Sequence, residues 1–281
     1  MPFEILDTLS LPGDPAQPND DAFGHTDNAA VVLDGATSLG DPLMPGASDA
    51  AWIAHFGARR LMAHVRDGET PKNALRFALA DTKKSFEALC RRPIKEKWET
   101  PLASMMFVCE LPFGFDALAF GDCVALVKRP DAKLEIIGDA FESKTAESQR
   151  AAKLAKENGL VPASGANRPE YLPALRASRN RVNSGRNWAF SPDPRAAEHV
   201  AEQRVVAPRG TILLLASDGF LALASDYGAH TAEALMEAAL KSGLGALAEE
   251  LRAIEESDPQ GHNFPRFKKS DDATAVLLKL I

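Results

Sequence analysis

Aspartates at the ends of apolar runs are the residues of this sequence whose type and placement could do chemistry. Val31-Val32-Leu33 runs into Asp34-Gly35, and Leu214-Leu215-Ala216-Ser217 runs into Asp218-Gly219. Asp271-Asp272 opens the run Ala273-Thr274-Ala275-Val276. A further pair, Asp20-Asp21, precedes Ala22-Phe23, and Asp122 follows Gly121 between two strand-like runs. A carboxylate at a buried strand end is costly unless it is paired or coordinated, and several brought together repel one another. A hard divalent cation, Mg²⁺ or Mn²⁺, resolves both problems, because it takes a few carboxylates and keeps water ligands. Taken singly, an Asp-Gly after a strand reads most simply as a turn. The joint order and the matching flanks favour a metal site.

The elements that must position these groups follow from periodicity. Phe3 to Leu11 has strand composition and stops at Pro12-Gly13. Ala29 to Leu33 is a short continuous apolar run, the pattern of a strand buried on both faces. Ala50, Ile53, Ala54, Gly57, Leu61 and Val65 recur at helical spacing, with Ser48 as the expected N-cap. A second helix begins after Thr70 with Pro71 in its first turn. Residues 104–111, 115–120, 124–128 and 134–137 read as a meander separated by turn chemistry. A helix is expected over 142–157, a buried strand over 211–216, two helices over 231–241 and 244–255, and a last strand over 273–280. The basic stretch Arg176 to Arg186 reads as an exposed loop or short helix. Helices come in pairs between groups of strands, which is not the βαβ alternation of a doubly wound sheet. An α+β class is expected, with antiparallel sheets covered by helical hairpins. Residues 1–281 read as a single domain.

Composition excludes other classes. The chain has 281 residues, a formal net charge of −7 and 45% hydrophobic residues, ordinary soluble values. The acidic balance argues against a nucleic-acid partner, which needs a basic face. No apolar run approaches the ~20 residues of a membrane-spanning helix, so no membrane partner is expected. The first residues, Met1-Pro2-Phe3-Glu4, lack a basic region and a long apolar stretch, so no signal peptide is expected. Cys90, Cys109 and Cys123 are odd in number and show no metal-binding spacing, which fits a reducing cytoplasm.

With these motifs in order, the sequence resembles the metal-dependent protein phosphatases, the PP2C or PPM family. Asn19-Asp20-Asp21-Ala22-Phe23, Leu33-Asp34-Gly35, Gly121-Asp122-Cys123, Ala216-Ser217-Asp218-Gly219-Phe220 and Asp271-Asp272-Ala273-Thr274 are similar to its NEDA, hydrophobic-DG, GDS, ASDGL and DN-x-[ST] motifs. The resemblance implies a four-layer α-β-β-α sandwich of two antiparallel sheets flanked by helix pairs. It implies two Mn²⁺ or Mg²⁺ ions, with a weaker third, activating water for hydrolysis of a phosphomonoester without a protein nucleophile. Asp34 would bridge the two metals and the Gly35 carbonyl would bind one of them. Asp218 and Asp271 would hold one metal, Asp21 would reach the other with Asp20 beside it, and Asp122 would support the third. The substrate class implied is a phosphoserine or phosphothreonine protein.

The sequence also departs from that pattern. No Arg stands in Asp14 to Pro18, where many members grip the substrate phosphate, and Asp34-Gly35 is followed by Ala36 rather than the His of many eukaryotic members. The Ser217-Asp218-Gly219 motif is not followed by a further Asp, since Phe220-Leu221-Ala222 comes next. Arg179, Arg181 and Arg186 could replace the phosphate grip; His25, Thr37 and Ser38 are the other candidates. A solvated basic loop is the simpler reading of those arginines. Residues 139–203 occupy the interval where the family carries a variable flap. Two competing readings remain: a degenerate fold serving as a binding or regulatory module, and a phosphatase for a small-molecule phosphate. An aspartyl-nucleophile phosphohydrolase fits worse, because residue 36 is Ala where its D-x-D requires Asp.

Overall fold

Period-two alternation builds the centre of the molecule. Along β3 (Ala29–Gly35), Val31 and Leu33 point to one side, while Ala30 and Val32 point to the other. The first side packs on helices and the second on another sheet. The structure, a computed structural model, describes residues 1–281, the side chains of 140–147 excepted.

Two antiparallel five-stranded sheets face each other. One orders β2 (Asp21–Thr26), β3, β4 (Ala103–Leu111), β5 (Gly114–Phe120) and β8 (Ala201–Val206). The other orders β1 (Phe3–Leu11), β10 (Ala273–Leu280), β9 (Ile212–Ala216), β6 (Val124–Lys128) and β7 (Glu135–Ile137). Val32, Met106 and Val108 from the first sheet meet Val127, Leu215 and Val276 from the second, all fully buried. Helices α1 (Asp49–Arg66) and α2 (Pro71–Leu89) cover the outer face of the first sheet. Helices α5 (Asp218–Ser225) and α6 (Ala232–Ser257) cover the second. The α+β class and the four-layer α-β-β-α sandwich are therefore observed.

Helix starts are chemically marked. The Ser48 hydroxyl accepts the Ala51 N–H at 3.1 Å, and Thr70 caps α2 with Pro71 in its first turn. Helix α6 breaks at Gly243 (φ 81°), giving the two expected helices. The Leu244 N–H that opens the second half donates to the Asp7 carboxylate of β1 at 2.8 Å.

Two elements differ from expectation. Strand β8 has four exposed residues in its first four positions, so no apolar alternation marks it; β5 recruits it as an edge. Helix α5 starts at Asp218, where a turn ending the strand was expected. Between β7 and β8 lie α3 (Ala140–Asn158), α4 (Leu172–Arg179) and a short 3₁₀ turn at Pro194–His199.

Candidate metal centre

The alternation that buries Ala30 and Val32 between the sheets carries Asp34 to the same face, two residues further on. Strand register puts Asp21 of β2 directly opposite Asp34, with Ser104 of β4 on its other side. The inter-sheet core thus ends in carboxylates at one end of the sandwich. Asp122 lies where the chain crosses from β5 in one sheet to β6 in the other, and accepts the Ser104 hydroxyl at 2.7 Å. Asp218 follows β9 in the opposite sheet. Asp34, Asp122 and Asp218 each present a carboxylate oxygen, and these lie within 4.8 Å of one another.

Asp21 is 1% exposed, and neither of its oxygens has a hydrogen-bond partner of good geometry among the described residues. Burial pushes its carboxyl well above the usual carboxylate range. The Ser217 hydroxyl nearby offsets a part, and the charges of Asp272, Asp271 and Asp218 add to the rise. Asp34 is raised in the same way, by desolvation first and then by Asp218, Asp21, Asp122 and Asp271. Three carboxylates with oxygens within 4.8 Å of one another, and a buried fourth beside them on Asp21, are a donor set that suits a hard divalent cation.

The rim of the cluster is tied by hydrogen bonds. The Asp20 carboxylate accepts the Ser48 hydroxyl, which joins β2 to the cap of α1. Burial raises the Asp20 carboxyl, and the Ser48 hydrogen bond opposes that. Asp271 accepts the Lys268 ammonium at 2.6 Å and its neighbour's N–H at 2.9 Å, both on Oδ1. Burial alone would lower the pKa of Lys268; the carboxylates of Asp271, Asp34 and Asp272 more than reverse this and raise it. Two residues with no assigned role in the sequence reading therefore matter here. Lys268 is the ammonium in contact with the cluster. Asp272 accepts the Gly13 N–H and the Asp20 N–H, each at 2.7 Å, and so fixes the chain just before Asp21. Adjacency to Asp271 was its only signal. Arg252 of α6 holds the Asp271 carbonyl at 2.9 Å, and nothing in a helical sequence announces that contact.

The two Asp-Gly glycines serve close approach rather than a turn. Neither has left-handed backbone. A Cβ on Gly35 would lie 2.4 Å from the Ala50 carbonyl oxygen, and one on Gly219 would lie 2.0 Å from that of Asp272.

The candidate phosphate contacts are scattered. Arg179 reaches the loop after β3 and donates to the Thr37 carbonyl at 2.7 Å. Arg176, one turn earlier, donates twice to the Leu39 carbonyl and stacks over Trp98 at 4.0 Å. Arg181 and Arg186 are exposed, and Thr37 and Ser38 are half-buried beside the site. His25 sits four residues beyond Asp21 on β2, about 13 Å along the strand, and stacks on Phe23 instead.

This architecture is the fold of the PPM serine/threonine phosphatases. The chain matches the Mycobacterium tuberculosis serine/threonine phosphatase PstP/Ppp with a TM-score of 0.60 at 16% identity, covering 100% of this chain and 99% of that one. It matches the Mycobacterium smegmatis PPM Ser-Thr phosphatase MsPP, solved with cacodylate, with a TM-score of 0.56 at 18% identity over 99% and 100%. A PstP catalytic domain solved with two manganese ions gives 0.57 at 14% identity over 99% and 98%. No family model matches the sequence, and no curated protein does. No helix among the described residues is long and apolar enough to cross a membrane.

Proposed function

We propose that the chain is a metal-dependent phosphomonoester hydrolase acting on phosphoserine or phosphothreonine in proteins. The observation that carries this reading is the acidic end of the sandwich, above all the buried, unpartnered carboxylate of Asp21 opposite Asp34. The PPM fold, solved elsewhere with manganese and with magnesium, supports it. Two Mn²⁺ or Mg²⁺ ions supply, when bound, an acidified water and charge to balance the phosphoryl oxygens.

The chain's own residues divide the remaining work. Asp34 and the Gly35 carbonyl would help to hold both ions, Asp218 and Asp271 would hold one, Asp21 with Asp20 the other, and Asp122 a weaker third. Lys268 holds Oδ1 of Asp271, which leaves Oδ2 for a metal. Asp272 fixes the backbone before Asp21. Residues 1–281 act as one domain, with 139–203 as its flap, fastened through Arg176 and Arg179 to the loop after β3. The free thiols of Cys90, Cys109 and Cys123 suit a reducing, cytoplasmic compartment.

A second reading, a binding module or a phosphatase for a small-molecule phosphate, is favoured by one observation. The loop from Gly13 to Pro18 beside the site carries no cation. Mn²⁺-dependent hydrolysis of p-nitrophenyl phosphate, with Asp34→Ala and Asp218→Asn as controls, decides between catalysis and binding. Turnover that both variants lose supports the phosphatase. A folded chain that binds Mn²⁺ by calorimetry and turns over neither the aryl phosphate nor phosphopeptides sinks it.

A further inference from the structure

Arg179, which reaches the loop after β3, also lines a cavity of about 610 Å³. Its walls are the end of α2, the stretch from Ile94 to Leu102, and the segment from Arg179 to Arg195. Its charged lining is Lys83, Glu87, Lys97, Arg179, Asp193 and Arg195.

These charges do not cancel. Arg195 and Asp193 satisfy each other through two hydrogen bonds of 2.9 and 2.7 Å. Lys83 and Glu87 form an i,i+4 pair at 3.8 Å. Lys97 also lies close enough to Asp193 for its charge to help keep that carboxylate ionised, but its hydrogen bond goes to the Asn183 carbonyl at 3.3 Å, and that of Arg179 goes to the Thr37 carbonyl at 2.7 Å. Lys97 is exposed. Arg179 is not: loss of water pushes its guanidinium down to about 10, and no carboxylate among the described residues opposes this. One of its nitrogens is engaged, and a guanidinium carries five N–H donors in a planar fork. Arg176 already fastens the loop with two hydrogen bonds and a stacked ring, so fastening does not account for the donors Arg179 has left over. A desolvated guanidinium without a counter-charge is costly, and an oxyanion placed in the cavity offsets that cost. Ile94, 41% exposed on the cavity wall, adds an apolar surface suited to a polypeptide.

We propose that this cavity is a subsite for an acidic residue of the substrate polypeptide, received by Arg179 and Lys97. The inference rests on the phosphoprotein phosphatase reading of the neighbouring site. Distance sets the register. Thr37, which Arg179 holds, is three residues past Asp34, so their Cα atoms are at most about 11 Å apart. An extended peptide covers that span in about three residues. The reach of the Arg179 side chain adds to that span, so the subsite selects Asp or Glu within about six positions of the phosphorylated residue, and the acidic residue is placed at each of these in turn.

The test uses the full chain and non-hydrolysable phosphonate peptides, identical except for Glu or Ala at those positions, with Kd read by fluorescence anisotropy in Mn²⁺ and in EDTA. The Glu peptide is expected to bind about tenfold tighter, the value of one charge-assisted hydrogen-bonded contact. Lys97→Glu and Arg179→Gln are each expected to bring the Glu-to-Ala ratio of Kd towards one. The ratio is internal to each variant, so a general loosening by Arg179→Gln does not imitate the effect, and the exposed Lys97 provides a second probe. Equal affinity of the two peptides for the wild type overturns the subsite, as does a preference that survives both substitutions. Wild-type turnover of p-nitrophenyl phosphate is read in parallel. Turnover without acidic preference removes the subsite and leaves the phosphatase; acidic preference with no turnover of the aryl phosphate or of the parent phosphopeptides removes the phosphatase and leaves an acidic-peptide site.

Discussion

Asp21 is a buried carboxylate with no hydrogen-bond partner of good geometry among the described residues, opposite another carboxylate. Such a group destabilises the metal-free fold, and Asn removes the charge at the same volume. Asp21→Asn is expected to raise the Tm of the EDTA-treated protein and to diminish the rise in Tm on adding Mn²⁺. Differential scanning fluorimetry reads both; a fall in the metal-free Tm contradicts the account. The pH dependence follows with a definite sign. The folded-state pKa values of Asp21 and Asp34 lie above their unfolded values, so the folded chain binds more protons between the two. Stability from these groups falls as pH rises through that window and is regained as pH falls. The metal-free Tm of the wild type is therefore expected to gain more between pH 8 and pH 5 than that of Asp21→Asn. The Mn²⁺-induced rise is expected to shrink over the same range, because protons compete for the ligand oxygens. Lys268 supplies the opposite case. Lys268→Met leaves Asp271 without its ammonium, so the metal-free Tm is expected to drop while Mn²⁺ binds tighter in calorimetry, the competing positive charge being gone.

At the scale of elements, backbone contacts decide how close the acidic strands come. Helix α5 starts against the Asp272 carbonyl, where a Cβ on Gly219 would lie 2.0 Å from the oxygen. Gly219→Ala is expected to cost on the order of 3 kcal/mol in urea unfolding and to weaken Mn²⁺ binding, since Asp218 moves with the displaced turn. A cost below about 1 kcal/mol, within the range of ordinary surface changes, shows that the turn yields easily. The 139–203 segment is fastened differently, by arginines on carbonyls. Arg176→Met removes two hydrogen bonds to Leu39 and a stacked cation, and is expected to open the segment locally. Limited proteolysis should then cut within α4 several times faster, with the global Tm little changed. Helix α2 and strand β3 were legible because capping residues and apolar periodicity agree with the fold at those positions. Strand β8 was not, because its partner on β5 and not its own composition makes it a strand.

For the whole molecule, the carboxylates come from both sheets. Asp21 and Asp34 sit on one, Asp218 and Asp271 at strand ends of the other, and Asp122 on the crossing between them. A cation bound among them joins the two sheets at one end. Metal at 100 times its Kd is expected to stabilise the fold by about 2.7 kcal/mol, several degrees of Tm, and Asp34→Ala to cancel that gain. The rest of the inter-sheet contact is apolar. Met106→Ala, at a fully buried position between the sheets, is expected to cost about 2–5 kcal/mol with or without metal.

The identities of the acidic residues and the strands that carry them were fixed by local chemistry: apolar runs stop at Asp34 and Asp218, and another begins after Asp271. Alternation along β3 also placed Asp34 on the face of Val32. Hairpins such as β2–β3 are local, but the joining of β1 to β10, more than two hundred residues away, was not. The tertiary structure alone decided that Asp122 stands beside Asp34 and Asp218 while Asp271 is held at the rim by Lys268, and that His25 is distant. It alone brought Arg179 to Thr37, because that contact depends on how a segment with little periodicity folds back across the sandwich.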